Sequence, residues 1–172
     1  MVYRKAMTNI VLLGDQRVGK TSWLYKIQGK KQIDIDSYIA TMGRTNTSMR
    51  YKNRYITFHD VGGYERFHTI LTCNFSIADG FLIFYDVKNN ASKRRVQYWK
   101  NKIPKDQPCV VVGNKIDLIN KPTINAHEIS CYNNKNLEQP LDDLLQKIPV
   151  HRRSITILEQ LLEYLYYFLP LY

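Results

Sequence analysis

Cysteine is scarce in this chain: Cys73, Cys109 and Cys131 are the only three in 172 residues, an odd number with no C-x-x-C pair and no neighbouring histidine cluster. Disulfide and zinc frameworks are therefore excluded as organising devices, and an intracellular, reducing setting, cytoplasm or nucleus, is the expectation. Acidic residues are also in short supply, 15 Asp plus Glu against 25 Lys plus Arg, for a formal charge of +10. Such a field favours acidic partners, nucleic acid or anionic membrane, but it sets association and solubility without choosing among them. No signal-peptide-like apolar run follows Met1-Val2-Tyr3-Arg4-Lys5, Val2 stands where myristoylation needs glycine, and Leu169-Pro170-Leu171-Tyr172 offers no cysteine for prenylation. Internal repeats, low-complexity tracts and Pro/Gly-rich linkers are absent too. At 44% hydrophobic composition, a chain of this length buries about 70% of its unfolded surface, enough for one domain without staples.

What is present is a series of short apolar runs rich in β-branched and aromatic residues: Ile10-Val11-Leu12-Leu13, Tyr55-Ile56-Thr57-Phe58, Phe81-Leu82-Ile83-Phe84-Tyr85 and Cys109-Val110-Val111-Val112. These read as strands. Two of them lack polar alternation, as strands covered on both faces do, and the segments between are long enough for crossover helices. An α/β fold with a mostly parallel sheet follows. Helices are expected from near Lys20, after Ser92 as N-cap, and from near Leu137, where Leu141, Leu144, Leu145 and Ile148 recur at helical spacing. A domain over 1–150 is expected, followed by an apolar helical extension over 151–172 with Pro149-Val150-His151-Arg152-Arg153 as the hinge.

Between the first strand and the first helix stands Gly14-Asp15-Gln16-Arg17-Val18-Gly19-Lys20-Thr21, then Ser22, which satisfies G-x-x-x-x-G-K-[ST] in the strand-to-helix setting that the motif demands. Gly14 and Gly19 let the backbone wrap a phosphate, and the amide N–H groups and helix N-terminus supply positive potential. Lys20 reaches β/γ oxygens and Thr21 can ligate Mg²⁺. The plain alternative is an ordinary Gly-containing turn. Asp60, ahead of Val61-Gly62-Gly63, closes the second run at a strand end, where a carboxylate suits a water-mediated Mg²⁺ contact and Gly63 an N–H to a terminal phosphate; a turn former is the alternative. Asn114-Lys115-Ile116-Asp117 ends another strand. Asp117 can accept the paired N1 and N2 donors of guanine that adenine lacks, Asn114 would brace the loops, and the Lys115 stem would cover the base.

With these motifs in this order, the chain resembles a Ras-superfamily small GTPase over about Ile10 to Ile148, which implies a P-loop NTPase, small G-protein fold with a mostly parallel central sheet flanked by helices. Within the superfamily, Tyr38-Ile39-Ala40-Thr41-Met42-Gly43, Phe84-Tyr85-Asp86-Val87 and Asn136-Leu137-Glu138-Gln139-Pro140 are similar to Ran, the nuclear-transport branch, while the phosphate loop serves Rab equally well. The resemblance implies GTP/GDP and Mg²⁺ as cofactors. It makes Thr41 the Mg²⁺-ligating, γ-phosphate-sensing residue of switch I, Tyr64 to Thr72 switch II, and Ser130-Cys131-Tyr132 the loop whose Cys131 N–H meets the guanine carbonyl. Effectors and regulators reading the switches, nuclear-transport factors among them, are the implied partners, with no specific nucleic acid.

Departures from the family pattern shape the expected activity. Tyr64 stands where the family's glutamine orients the attacking water, so the catalytic set Lys20, Thr41, Gly63 and Tyr64 implies slow hydrolysis. Gln16 and Arg17 replace a Gly-Gly pair of Ran and add bulk where an arginine finger would approach. The stretch Gly29 to Thr41 is longer than in Ran, and no phenylalanine among Ile33, Asp34 and Ile35 is available to stack on the base. Only twelve residues separate Asp117 from Ser130, so the usual helix there shrinks to a turn, and Ran's acidic tail is missing. Lys88, Lys93, Arg94, Arg95, Lys100, Lys102 and Lys105 form a run without an acid, read first as a solvated helix face. Ser154 to Tyr172 carries a wide apolar arc, read as packing on the domain or on another chain ahead of membrane contact, since Glu159 and Glu163 would be costly in a bilayer. The expected protein is a guanine-nucleotide switch, Ran-like, with a Rab-like trafficking GTPase, a permanently GTP-loaded scaffold and a degenerate site as the rivals.

Overall fold

A computed structural model describes residues 3–5, 7–30, 43–63, 75–119, 127–149 and 152–154, the first and last of these as backbone only. Strands β1 (Tyr3–Lys5), β2 (Thr8–Leu13), β3 (Arg44–Tyr51), β4 (Arg54–Val61), β5 (Gly80–Asp86), β6 (Cys109–Asn114), β7 (His127–Ile129) and β8 (Arg152–Ser154) alternate with helices α1 (Lys20–Ile27), α2 (Asn90–Lys100) and α3 (Gln139–Lys147). Six strands make one sheet in the order β3-β4-β2-β5-β6-β7. Only the β3–β4 hairpin is antiparallel; β2 runs parallel to β4 and β5, and β5, β6 and β7 continue in the same sense. The expected α/β architecture is present, and all four strand-forming runs lie in it.

The sheet holds because its middle strands are apolar on both faces. Ile10, Leu12, Leu82, Phe84 and Val112 pack under α1 and α3 through Trp23, Leu141 and Leu144. Val11, Leu13, Phe81 and Ile83 pack on the other face against Trp99 and Ile103, from α2 and the turn after it. The Trp23 indole N–H donates to the Leu137 carbonyl at 2.9 Å, which satisfies its one polar atom inside the core. The hairpin is fastened to α3 by polar contacts: the Tyr51 hydroxyl meets Glu138 at 3.0 Å and Asp142 at 3.1 Å, while Arg54 donates to the Leu145 and Ile148 carbonyls at the helix end. Those carbonyls have no partner within the helix, so the guanidinium supplies one.

Two boundaries differ from expectation. α2 starts earlier than a cap at Ser92 allows: Asn89 is the N-cap, its side chain accepting from the Ala91 and Ser92 amides, whereas Ser92 is buried and turned back on Asp86. α3 begins at Gln139 rather than near Leu137, with Pro140 in its first turn, where the missing N–H is harmless. At the hinge, Arg152–Ser154 pairs antiparallel with Tyr3–Lys5, so the start of the C-terminal extension is tied to the chain's other end. The apolar segment 155–172 lies outside the described residues, and among those described no helix is long and apolar enough to cross a membrane.

His59 is a buried polar residue in β4, its ring nitrogens meeting Asn46 at 2.9 Å and Asn9 at 3.1 Å. Burial, with Arg44 adding to it, holds its pKa below 6.5, so the ring is neutral at neutral pH and one flanking amide faces it with oxygen, the other with NH₂. The unfolded chain then binds the proton that the folded chain resists, and stability falls as pH drops below about 6.5 until folded His59 itself protonates. Each pH unit in that window is worth up to about 1.4 kcal/mol. Urea unfolding at pH 7 and pH 5 should show a smaller loss for His59→Gln than for the native chain; equal losses would remove His59 from the account.

Candidate functional site

The carboxyl ends of β2, β4, β5 and β6 open on one edge of the sheet, where ligands of open α/β folds bind. The loop between β2 and α1 closes tightly there. A Cβ on Gly14 would fall 2.2 Å from the Phe84 carbonyl oxygen, and one on Gly19 would fall 2.1 Å from Asn114 Nδ2, so the loop passes where only glycine fits. Lys20 is buried, its ammonium donating to the Gly14 and Asp15 carbonyls at 2.7 and 2.8 Å. Burial pulls its pKa down to about 8 against the opposing pull of Asp60 and Asp15. A desolvated cation curled over its own loop is what an anion arriving in that loop would draw outward. Gln16 and Arg17 are exposed, and Arg17 has a left-handed backbone with φ 59°.

Thr21 donates its hydroxyl hydrogen to Asp60 Oδ2, so two residues far apart in sequence meet where Mg²⁺ is expected. The other Asp60 oxygen, Oδ1, is buried without a partner among the described residues. Desolvation raises the Asp60 pKa, with the Thr21 hydroxyl and Lys20 working against it. An orphaned buried carboxylate oxygen is costly, and a hydrated cation would satisfy it. Mg²⁺ takes few protein ligands and completes its octahedron with water and phosphate oxygens, so Thr21 and Asp60 fit it. When bound, the ion neutralises phosphate charge. Gly63 sits against the phosphate loop: a Cβ there would lie 2.4 Å from both Asp15 C and Gln16 N. One residue earlier, the Gly62 N–H donates to the Gly43 carbonyl at 2.9 Å, joining the chain ends that flank segments 31–42 and 64–74. Thr41 and Tyr64 belong to those segments, outside the described residues.

The base end is built from β6 and the turn after β7. Asn114 is buried; its Nδ2 donates to the Val18 carbonyl at 2.9 Å, and its Oδ1 accepts from the Lys115 and Cys131 amides at 2.8 and 3.3 Å. One amide side chain thus joins the phosphate loop to both base-side loops. Ser130 donates to Asp117 Oδ1, fixing the carboxylate. The Cys131 thiol is buried and pushed up to about 12 by desolvation, so it stays protonated while its backbone faces the site. Lys115, with φ 69°, carries its ammonium to Asp86 Oδ2 at 2.7 Å. After Asp117 the chain makes only one short helical turn, Ile116–Leu118, before residues 120–126, outside the described set. Sequence reasoning missed two contributors: Asp86, which anchors Lys115, and Arg95, one of the seven basic residues, whose Nε donates to Asp15 Oδ1 at 2.9 Å instead of facing solvent.

Comparison with known proteins agrees with this geometry. A description of the Ras family matches residues 9–149. Among relatives, Ras-related protein RabT2 of Dictyostelium discoideum is 27% identical over 93% of this chain and 84% of its own length. GTP-binding protein Rab-3D of Rattus norvegicus is 31% identical over 71% of this chain and 58% of its own, and the Ypt/Rab-type GTPase avaA of Emericella nidulans is 32% identical over 67% and 61%. The chain therefore spans less than two thirds of the last two. All three bear Rab names, so the Ran-like stretches do not set the branch. With its phosphate loop, paired Thr21 and Asp60, and Asn114 brace in place, the chain belongs to the Ras family of small GTPases, nucleotide switches that bind GTP or GDP with Mg²⁺.

Proposed function

We propose that this protein is a Rab-like GTPase of membrane trafficking that cycles slowly because its hydrolytic machinery lacks the family glutamine. Gly14 to Ser22 hold the phosphates, Thr21, Asp60 and Thr41 hold Mg²⁺, and Asn114, Lys115, Asp117, Ser130 and Cys131 hold guanine. Ordering of the switches by the γ-phosphate, through Thr41 and Gly63, is what effectors and regulators read. The observation that carries this reading is the Asn114 side chain, which bridges Val18 and Cys131 and so holds the phosphate and base subsites in one frame. Rab names among the relatives favour trafficking over nuclear transport.

Chain-purified protein tests it directly: nucleotide extracted after purification should be GDP or GTP, in a one-to-one ratio to protein, and phosphate should be released over hours. Empty protein that takes up neither nucleotide ends the reading. Tyr64 also supports a second one, a switch that stays GTP-loaded and serves as a lasting ligand. A phenol cannot hold water and γ-phosphate together as an amide does. Tyr64→Gln should therefore speed single-turnover hydrolysis on the order of tenfold or more. An unchanged rate would show that this position does not limit hydrolysis.

A further inference from the structure

The phosphate loop is held from outside as well as from within. Asp15 Oδ1 accepts two hydrogen bonds from α2, one from Arg95 Nε at 2.9 Å and one from the Trp99 indole at 3.0 Å. Trp99 is 2% exposed and wedged in the core beneath the sheet, so its N–H is a fixed donor. The Arg95 guanidinium lies 4.8 Å from the centre of the Tyr98 ring, which limits where it can swing. Asp15 and Arg95 side chains are 22% and 35% exposed, so the pair is more shielded than a surface ion pair. At the same residue, the Asp15 carbonyl accepts from Lys20, and the peptide joining Asp15 to Gln16 is the nearest neighbour of Gly63. One side chain thus anchors the backbone unit that faces both the phosphate-binding lysine and the γ-phosphate sensor.

We propose that Arg95 and Trp99 are positioning residues for nucleotide, acting through the Asp15 carboxylate to hold the Asp15–Gln16 peptide against Gly63. This rests on the guanine-nucleotide reading above. Removing the tether frees the first turn of the loop, so bound nucleotide leaves faster. It also loosens the seat of Gly63, so the chain distinguishes GTP from GDP less sharply. A simple loss of stability would not change that ratio, because both nucleotides share every other contact.

The test follows release of a fluorescent N-methylanthraniloyl GDP from the full chain with Mg²⁺, and measures GTP and GDP affinities side by side. Arg95→Gln should accelerate release about tenfold and lower the GTP-to-GDP affinity ratio, as expected for loss of a charge-assisted bond. Arg95→Lys should recover most of the native rate. Asp15→Asn combined with Arg95→Gln should be no worse than the more severe single change, since both cut one link. Trp99→Phe, which keeps the buried ring and loses only the donor, should act in the same direction. Native release and an unchanged ratio in Arg95→Gln, or fully additive effects of the Asp15 and Arg95 changes, would overturn the tether and leave the nucleotide reading intact. Failure of the native chain to bind either nucleotide would instead overturn the reading on which the tether rests.

Discussion

Asp117→Asn is expected to lower affinity for GTP by about a thousandfold and to raise affinity for xanthosine triphosphate, the largest change in ligand choice that a single substitution here should produce. Guanine presents two N–H donors on one edge, and a carboxylate accepts both. An asparagine offers one acceptor and one donor, so it places N–H against N–H, and a buried donor without an acceptor carries its full desolvation penalty. Xanthine has a carbonyl where guanine has its amino group, which pairs with the asparagine NH₂. Ser130 steadies this position by donating to Asp117 Oδ1, so the substituted side chain is held in place to display the mismatch. Calorimetric titration with GTP, ATP and xanthosine triphosphate checks it. Unchanged GTP affinity, or a loss shared equally with the xanthosine nucleotide, would place the base elsewhere.

How much of this site could be read from the sequence depended on distance along the chain. The phosphate loop is local: eight consecutive residues between an apolar run and a helix carry the whole signal, and the structure places Gly14, Gly19, Lys20 and Thr21 in one turn of backbone. Asp60, Asn114 and Asp117 were legible for another reason. Each follows an apolar run, and in a parallel sheet the ends of such runs converge on one edge. The Asp15 tether was not legible, because its partners stand 80 and 84 residues away on a helix whose basic residues look alike in sequence. Six of the seven are exposed, and only the turn of α2 distinguishes Arg95.

Strand β3 was missed for a related reason. Arg44-Thr45-Asn46-Thr47-Ser48-Met49-Arg50-Tyr51 is polar almost throughout, because it is an edge strand with much of its length exposed, and its existence depends on pairing with β4 along the full hairpin. The helix cap at Asn89 against Ser92 shows a finer ambiguity. Both residue types cap helices, and burial of Ser92 against Asp86 decides between them, which composition cannot reveal.

Gly14→Ala should be the most damaging small substitution in the described fold, lowering stability on the order of 4 kcal/mol and the melting temperature by roughly 8 to 16 °C. The added methyl would lie 2.2 Å from the Phe84 carbonyl oxygen and 3.1 Å from its carbon, both backbone atoms, at a residue whose φ is +133°. Backbone cannot yield as a side chain tip does. Phe84 belongs to β5, which is hydrogen-bonded to β2 on one side and to β6 on the other, so moving it away from the loop strains both ladders. Gly29 makes the control: its φ of +69° also disfavours alanine, but nothing lies within 4 Å of the added methyl, so Gly29→Ala should cost only about 1 kcal/mol of local strain. Thermal unfolding of the two variants side by side separates conformational strain from collision. If Gly14→Ala melts within a few degrees of Gly29→Ala, then β5 and the phosphate loop are not locked together as described, and the loop owes its shape to something other than the strand beside it.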